Sequence, residues 1–218
     1  MLLVAENLVF RHAGGAGVGP VAFSLGQGQS AVLLGPSGSG KTTLVHLLAG
    51  LLTPQAGQVL IEGEPLHARG PAHADALRRR NIGVVFQSLR LVSALDVAGN
   101  LALARRLAGR PADPSRVAAL LDRLGLARRA QAMPRTLSQG EAQRAAIARA
   151  LAAEPRLLIA DEPTSALDDA NAEATTALFE ESARDNGAAL LVVTHDRRIA
   201  DRFPRRLRLA PTGLMEAD

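Results

Sequence analysis

The chain has 218 residues, is 47% hydrophobic but only 2% aromatic, and carries a formal net charge of +4 from 25 basic and 21 acidic side chains. That length supports one well-cored domain with room for a subdomain, built from Leu, Val, Ile and Ala because Trp and Tyr are absent. No apolar run approaches the roughly 20 residues of a membrane span, the start Met1-Leu2-Leu3-Val4-Ala5-Glu6 lacks the basic leader of a signal peptide, and without cysteine there is no disulfide framework or thiolate metal site.

The expectation is a cytoplasmic protein with no membrane insertion of its own. A pI near 11.0 raises nucleic acid or an anionic membrane as partners. The charges are scattered, however, and read as solvated faces. Two clusters remain as possible contact surfaces: Arg78-Arg79-Arg80, and Arg197, Arg198, Arg202, Arg205, Arg206 and Arg208. With no aromatic platform for bases, no nucleic-acid partner is expected.

In chain order, residues 2–11, 21–25 and 59–61 are apolar and separated by glycine-rich turns, which predicts an antiparallel β flank. Ser30–Leu34 is a short, continuous apolar strand of the kind buried in a parallel sheet. It runs into Gly35-Pro36-Ser37-Gly38-Ser39-Gly40-Lys41-Thr42, followed by Thr43. This is G-x-x-x-x-G-K-[ST], the phosphate loop of nucleotide triphosphatases. Its backbone amides cradle phosphate oxygens, and its glycines allow the close approach. Lys41 is the only lysine in the chain. Where arginine is so favoured, its compact ammonium marks a place that a planar guanidinium fork does not fit. Thr42 would put its hydroxyl on Mg²⁺. A helix is expected over 41–51.

Residues 82–86 form the next strand, followed by Gln87, a loop residue by default. From 88 to 135 the chain reads as mostly helical, with an amphipathic stretch over 116–124 and Pro111, Pro114 and Pro134 as punctuation. This suggests a helical subdomain inserted between two strands, with the core made of 1–87 and 136–218. Leu137-Ser138-Gln139-Gly140-Glu141 contains S-x-x-E, a capping box that opens an alanine-rich helix over 140–153. A helix N-terminus with a serine hydroxyl and a glycine amide also makes a second anion site.

Residues 157–160 are a strand ending in Asp161-Glu162. Asp161 is placed to orient Mg²⁺, and Glu162 to take the proton of an attacking water. A helix over 171–185 and a strand over 189–193 complete the α/β alternation. Two anion sites and one nucleotide suggest a composite site shared between two copies.

Taken together and in order, these segments resemble the ATP-binding subunit of ABC transporters over nearly the whole chain. They are the phosphate loop, Gln87 after Val84-Val85-Phe86, Leu137 to Glu141 with Gln143-Arg144, Asp161-Glu162, Ser165-Ala166-Leu167-Asp168, and Thr194-His195-Asp196. The resemblance implies a P-loop NTPase with a mostly parallel core sheet, an N-terminal antiparallel β flank and an inserted helical subdomain. By it, Gln87 senses Mg²⁺ and the attacking water, Asp168 sits across a dimer interface, and His195 contacts the γ-phosphate. Lys41 and Glu162 of one copy would face Ser138 and Gly140 of the other across bound ATP.

The resemblance further implies ATP and Mg²⁺ as cofactors, and an integral membrane permease that holds the chain at the inner face of the cell membrane. The short stretch after His195 implies no regulatory domain.

Two departures stand out. Gln139 replaces the first glycine of the family's L-S-G-G-Q, and Glu141 replaces its glutamine. The aromatic that normally stacks on adenine falls at His12, with Phe10 on the same face of a strand. Base stacking is worth about 1–3 kcal/mol, so a histidine there weakens binding modestly. Val85-Phe86-Gln87-Ser88 and residues 101–109 look most like the subgroup serving lipoprotein release, macrolide efflux or cell division. The alternative is a cytosolic ABC-type ATPase acting as a scaffold or nucleic-acid machine. Too few residues lie between Gln87 and Ser138 for the long coiled-coil arm such a machine would carry.

Overall fold

The computed structural model describes residues 1–165, 167–210 and 213–217. Strands β1 (Leu3–Arg11), β2 (Gly17–Leu25), β4 (Ala56–Ile61) and β5 (Glu64–Pro65) form an antiparallel sheet in the order β2-β1-β4-β5. Strand β3 (Ser30–Leu34) leaves it for a second sheet, where β6 (Ile82–Val85), β7 (Leu157–Asp161), β8 (Ala189–Thr194), β9 (Arg206–Ala210) and β10 (Gly213–Ala217) join it. The order there is β10-β9-β3-β8-β7-β6. Pairing from β9 to β6 is parallel, and β10 is an antiparallel edge.

The central strands are apolar on both faces because both faces are covered. On one side Ala31, Leu33, Leu157, Ile159, Leu191 and Val193 pack with the antiparallel sheet and helix α1 (Lys41–Leu48). On the other, Val32, Leu158, Ala160, Leu190 and Val192 meet the helical layer. Helix α2 (Pro71–Asn81) precedes β6, and α3 (Val97–Leu107) and α4 (Pro114–Arg123) lie between β6 and β7. Asp96 and Asp113 cap α3 and α4 by accepting from Gly99 N (2.6 Å) and Arg116 N (2.9 Å). Helix α5 (Gln139–Ala152) buries Ala145, Ala146, Ala148, Ala150 and Ala152, so a core poor in aromatics packs closely. Helix α6 (Asp169–Asp185) leads to β8.

The helical region is fastened to the sheet by charge. Arg105, Arg110 and Arg116 converge on Glu154, just after α5 and ahead of β7. The Arg105 hydrogen bond leads in holding the Glu154 carboxyl below its usual range. Arg105 is itself buried and also donates to Ala152 O (3.1 Å).

Three parts of the fold differ from the sequence reading. Residues 88–96 are not helical: Leu89 and Arg90 are consecutive left-handed residues, φ 56° and 48°. Their carbonyls are held by Arg149 of α5. Helix α2 was not anticipated, and it carries Arg78-Arg79-Arg80 in its last turn. The C-terminal arginines divide: Arg197, Arg206 and Arg208 line one cavity, while Arg198, Arg202 and Arg205 are engaged elsewhere. Four of them pair with separate carboxylates: Arg198 with Asp196 and Asp169, Arg202 with Glu180, Arg205 with Glu216, and Arg206 with Asp201. Arg206 and Arg208 alternate with buried Leu207 and Leu209 along β9. Among the described residues, no helix is long and apolar enough to cross a membrane.

Candidate functional site

Strand β3 delivers the chain into the loop at 35–40, and α1 begins at Lys41. The loop's tight path depends on Gly38 and Gly40, at φ 79° and 94°. A Cβ on Gly40 would fall 2.5 Å from Gly17 O, so no other residue fits there without moving backbone. Lys41 is only 6% exposed, and its Nζ donates to Gly35 O (2.8 Å) and Pro36 O (2.9 Å). It also pairs with Glu162 Oε1 at 3.2 Å.

A cleft of about 410 Å³ gathers most of the expected residues. His12, Ser37, Gly38 and Gly40 line it from the flank and the loop, and Lys41, Thr42 and Thr43 from α1. Gln87, Glu162 and His195 enter from beyond the ends of β6, β7 and β8. Gly35 and Pro36 open instead on a neighbouring cavity of about 650 Å³ shared with His195, Arg197 and Arg208. Ser39 turns inward, its buried hydroxyl without a partner among the described residues.

Glu162 follows β7 with φ 51°, a conformation costing a non-glycine residue about 1–3 kcal/mol. That turn brings its Oε1 to Lys41 and its Oε2 to the end of β8. There Oε2 accepts from the Thr194 hydroxyl (3.1 Å) and His195 N (3.3 Å), and His195 Nδ1 lies 2.8 Å away. The Thr194 hydroxyl had no assigned role in the sequence reading. Its signal was a polar side chain closing an otherwise apolar strand, one residue before His195.

Asp161 lies beneath the cleft, 3% exposed, with Oδ1 lacking any partner among the described residues. Burial first, and then the Glu162 charge, push its pKa up to about 6, against a hydrogen bond from Thr42 and the charge of Lys41. An orphaned carboxylate oxygen beside a threonine hydroxyl suits a hard cation that takes its other ligands from phosphate and water, so the residues fit Mg²⁺. Among the described residues there is no group of three or more His, Cys, Asp or Glu that could hold a metal unaided.

The raised pKa has a consequence for stability. Between the ordinary carboxylate value of 3.8 and about 6 the folded chain binds the extra proton, so folding stability falls as pH rises through that window. Asp161→Asn is therefore expected to stabilise the protein, without added nucleotide, by about 3 kcal/mol at pH 7. The gain should vanish below pH 4. Chemical denaturation at the two pH values checks this, and equal stability of the two proteins at pH 7 would refute it.

Gln87 donates to Ser165 Oγ at 3.3 Å, linking the loop after β6 to the segment after Glu162. In that segment Ala166 lies outside the described residues. Asp168 caps α6, accepting from Asn171 N and Nδ2, both at 2.9 Å. His12 Nε2 lies 3.1 Å from Thr43 Oγ1, and the Phe10 ring meets its ring edge-on at 4.9 Å, so histidine is the ring lining the cleft.

Ser138 and Gly140 do not line this cleft. Ser138 is the N-cap of α5 in a reciprocal capping box: its Oγ accepts from Glu141 N (3.3 Å), and its N donates to Glu141 Oε2 (2.8 Å). Gln139 is therefore the first helical residue, with ordinary helical backbone, and the helix opens one residue before the expected Gly140. The bond from Ser138 N, followed by Arg129, holds the Glu141 carboxyl down at about 2. Gly140 is exposed, and a Cβ there would meet only the tip of Arg144, 3.5 Å away.

A family model described as "ABC transporter" matches residues 18–165. The methionine import ATP-binding protein MetN of Caulobacter vibrioides is 42% identical over 199 residues, which are 88% of this chain. The chain spans 60% of that relative's length. Among solved structures, the ATP-binding cassette MJ0796, a dimer in a post-hydrolysis state bound to ADP and Pi, is 30% identical with a TM-score of 0.89. The likeness covers 100% of this chain and 98% of that one. CbiO1 of Clostridium perfringens, part of the ABC transporter complex CbiONQ, is 26% identical with a TM-score of 0.85, covering 98% of this chain and 86% of its own. The glycine-cradled lysine, the carboxylate pair at the end of β7 and the capped α5 thus stand on a fold shared end to end with such cassettes, and the chain belongs to the ABC transporter family as an ATP-binding cassette.

Proposed function

We propose that the chain binds ATP with Mg²⁺ and hydrolyses it as one half of a head-to-tail pair. The observation that carries this reading is the division of the anion-binding elements. Lys41, Thr42, Gln87, Glu162 and His195 share one cleft, while Ser138 and Gly140 offer a second, open helix N-terminus away from it. A second copy can bring that helix end onto the cleft. The relative MJ0796 is itself a dimer bound to hydrolysis products.

In this mechanism the triphosphate enters the nest of loop amides, and Lys41 Nζ turns from the loop carbonyls and Glu162 to the phosphate oxygens. That releases Glu162 Oε1 to accept a proton from the attacking water, while Thr194 and His195 hold Oε2 in place. Asp161 and Thr42, with Gln87, would hold Mg²⁺, which would supply neutralisation of the charge building on the phosphates. His195 steadies the γ-phosphate, Asp168 reaches toward the second copy, and His12 stacks beneath adenine.

Residues 88–135 act as a helical subdomain against which a separate integral membrane permease docks, keeping the chain at the inner face of the cell membrane. Residues 85–88 and 101–109 support a place in the subgroup serving lipoprotein release, macrolide efflux or cell division. Identification of the permease that co-purifies with the chain tests that finer placement, and a methionine importer there would overturn it.

The shared site is tested by Ser138→Arg. A long cation at the α5 N-terminus prevents closure and is expected to lower ATP turnover by about 10²-fold while each chain still binds nucleotide. Unchanged turnover at every protein concentration would show that the cleft works alone.

A further inference from the structure

Beyond Glu162, hydrogen bonds continue through buried Thr194 and Asp196 to the half-exposed Arg198 beside the start of α6. The Thr194 hydroxyl that donates to Glu162 also accepts from Asp196 N at 3.0 Å. Asp196 is 8% exposed, and its carboxylate accepts from Thr164 Oγ1 (3.0 Å) and from Arg198 through two guanidinium nitrogens, Nε to Oδ1 (2.8 Å) and Nη2 to Oδ2 (2.7 Å). Such a planar, bidentate pair adds geometric specificity to its strength. The far side of the same guanidinium reaches Leu167 O (3.4 Å) through Nη2 and the Asp169 carboxylate through Nη1. Arg198 therefore grips the residues on both sides of Asp168.

The pairing is selective. Arg202, in the same 3₁₀ segment, also bridges to α6, but it meets Glu180 about three turns further along (2.7 Å).

We propose that Arg198 is a positioning residue that ties the segment bearing Asp168 to the segment bearing His195, so that contact of Asp168 with a second copy is relayed through Asp196 and Thr194 to Glu162. This rests on the head-to-tail reading above. The guanidinium needs all three of its nitrogens for the task, so lysine, with its charge at a single point, cannot replace it.

The test is a double-mutant cycle on the full chain, with steady-state ATP turnover as the readout. Arg198→Met and Asp168→Ala are each expected to lower kcat about tenfold with KM for ATP nearly unchanged, and the double variant to be no slower than either. Arg198→Lys should not rescue, and Arg202→Met should leave kcat at the wild-type value. A merely structural role would give multiplied effects, about a hundredfold in the double variant, and that result overturns the proposal. Wild-type kcat in Arg198→Met does so as well.

If Arg198→Met fails to fold, Asp169→Ala carries the test. Asp169 is 85% exposed, and its loss should slow turnover about threefold in the wild-type background and not at all in Asp168→Ala. Equal slowing in both backgrounds overturns the proposal. The same chains carrying Glu162→Gln are weighed with ATP. If they do not pair, the head-to-tail reading falls and the relay with it. If they pair while the cycle is multiplicative, only the relay falls.

Discussion

Glu162→Gln is expected to cut steady-state ATP hydrolysis by about 10³-fold while ATP affinity stays within a few-fold of the wild type. Glutamine keeps the shape of the side chain and can still meet Thr194 and His195, but it cannot take a proton from water. Oε1 is the oxygen concerned, because Oε2 is already engaged at the end of β8. Replacing the carboxylate also removes a charge that raises Asp161, so metal binding is retained. Phosphate release and a nucleotide titration check the two halves separately. Turnover within tenfold of the wild type would remove Glu162 from the proton-accepting role.

Lys41→Ala is expected to abolish measurable turnover and weaken ATP binding by about 10²-fold or more, since the ammonium is the one cation inside the loop. Lys41→Arg should fare little better. The native Nζ is held by Gly35 O, Pro36 O and Glu162 Oε1 in a space that is 6% exposed, and a guanidinium fork needs more room than that collar provides. Charge without shape should therefore fail. An arginine variant with wild-type turnover would mean that the loop tolerates any cation and that Lys41 acts only as a point charge. Thermal stability serves as the control. Removing Lys41 leaves Glu162 with Thr194 and His195 as partners, so both variants should remain folded.

Much of the site was legible because its chemistry is local in sequence. A phosphate loop needs glycines at fixed offsets from an apolar strand, and a capping box needs serine and glutamate three apart; both patterns survive in the bare chain. The carboxylates closing β7 were legible for the same reason, since charge at the end of a buried strand demands a purpose. Contacts between distant segments were not legible. Nothing local announces that Lys41 meets Glu162, that Thr194 steadies it, or that Arg198 clasps both neighbours of Asp168.

The elements that escaped have physical reasons too. In β9 the alternation of arginine with Leu207 and Leu209 is a half-buried strand, yet the arginines read first as a charged patch. In α2 the arginine run ends a helix opened by Pro71, with too few apolar residues to show a helical period. Residues 89 and 90 broke an apparently helical stretch because their left-handed backbone is stabilised from outside, by Arg149.

In the head-to-tail pair proposed above, this cassette's site is completed by a second copy. The most direct measurement is the mass of the Glu162→Gln chain in solution with and without ATP and Mg²⁺. Single chains are expected without nucleotide and, with it, particles of twice the chain mass that hold one ATP per chain. ATP bound at one per chain with the mass of a single chain would contradict that pairing.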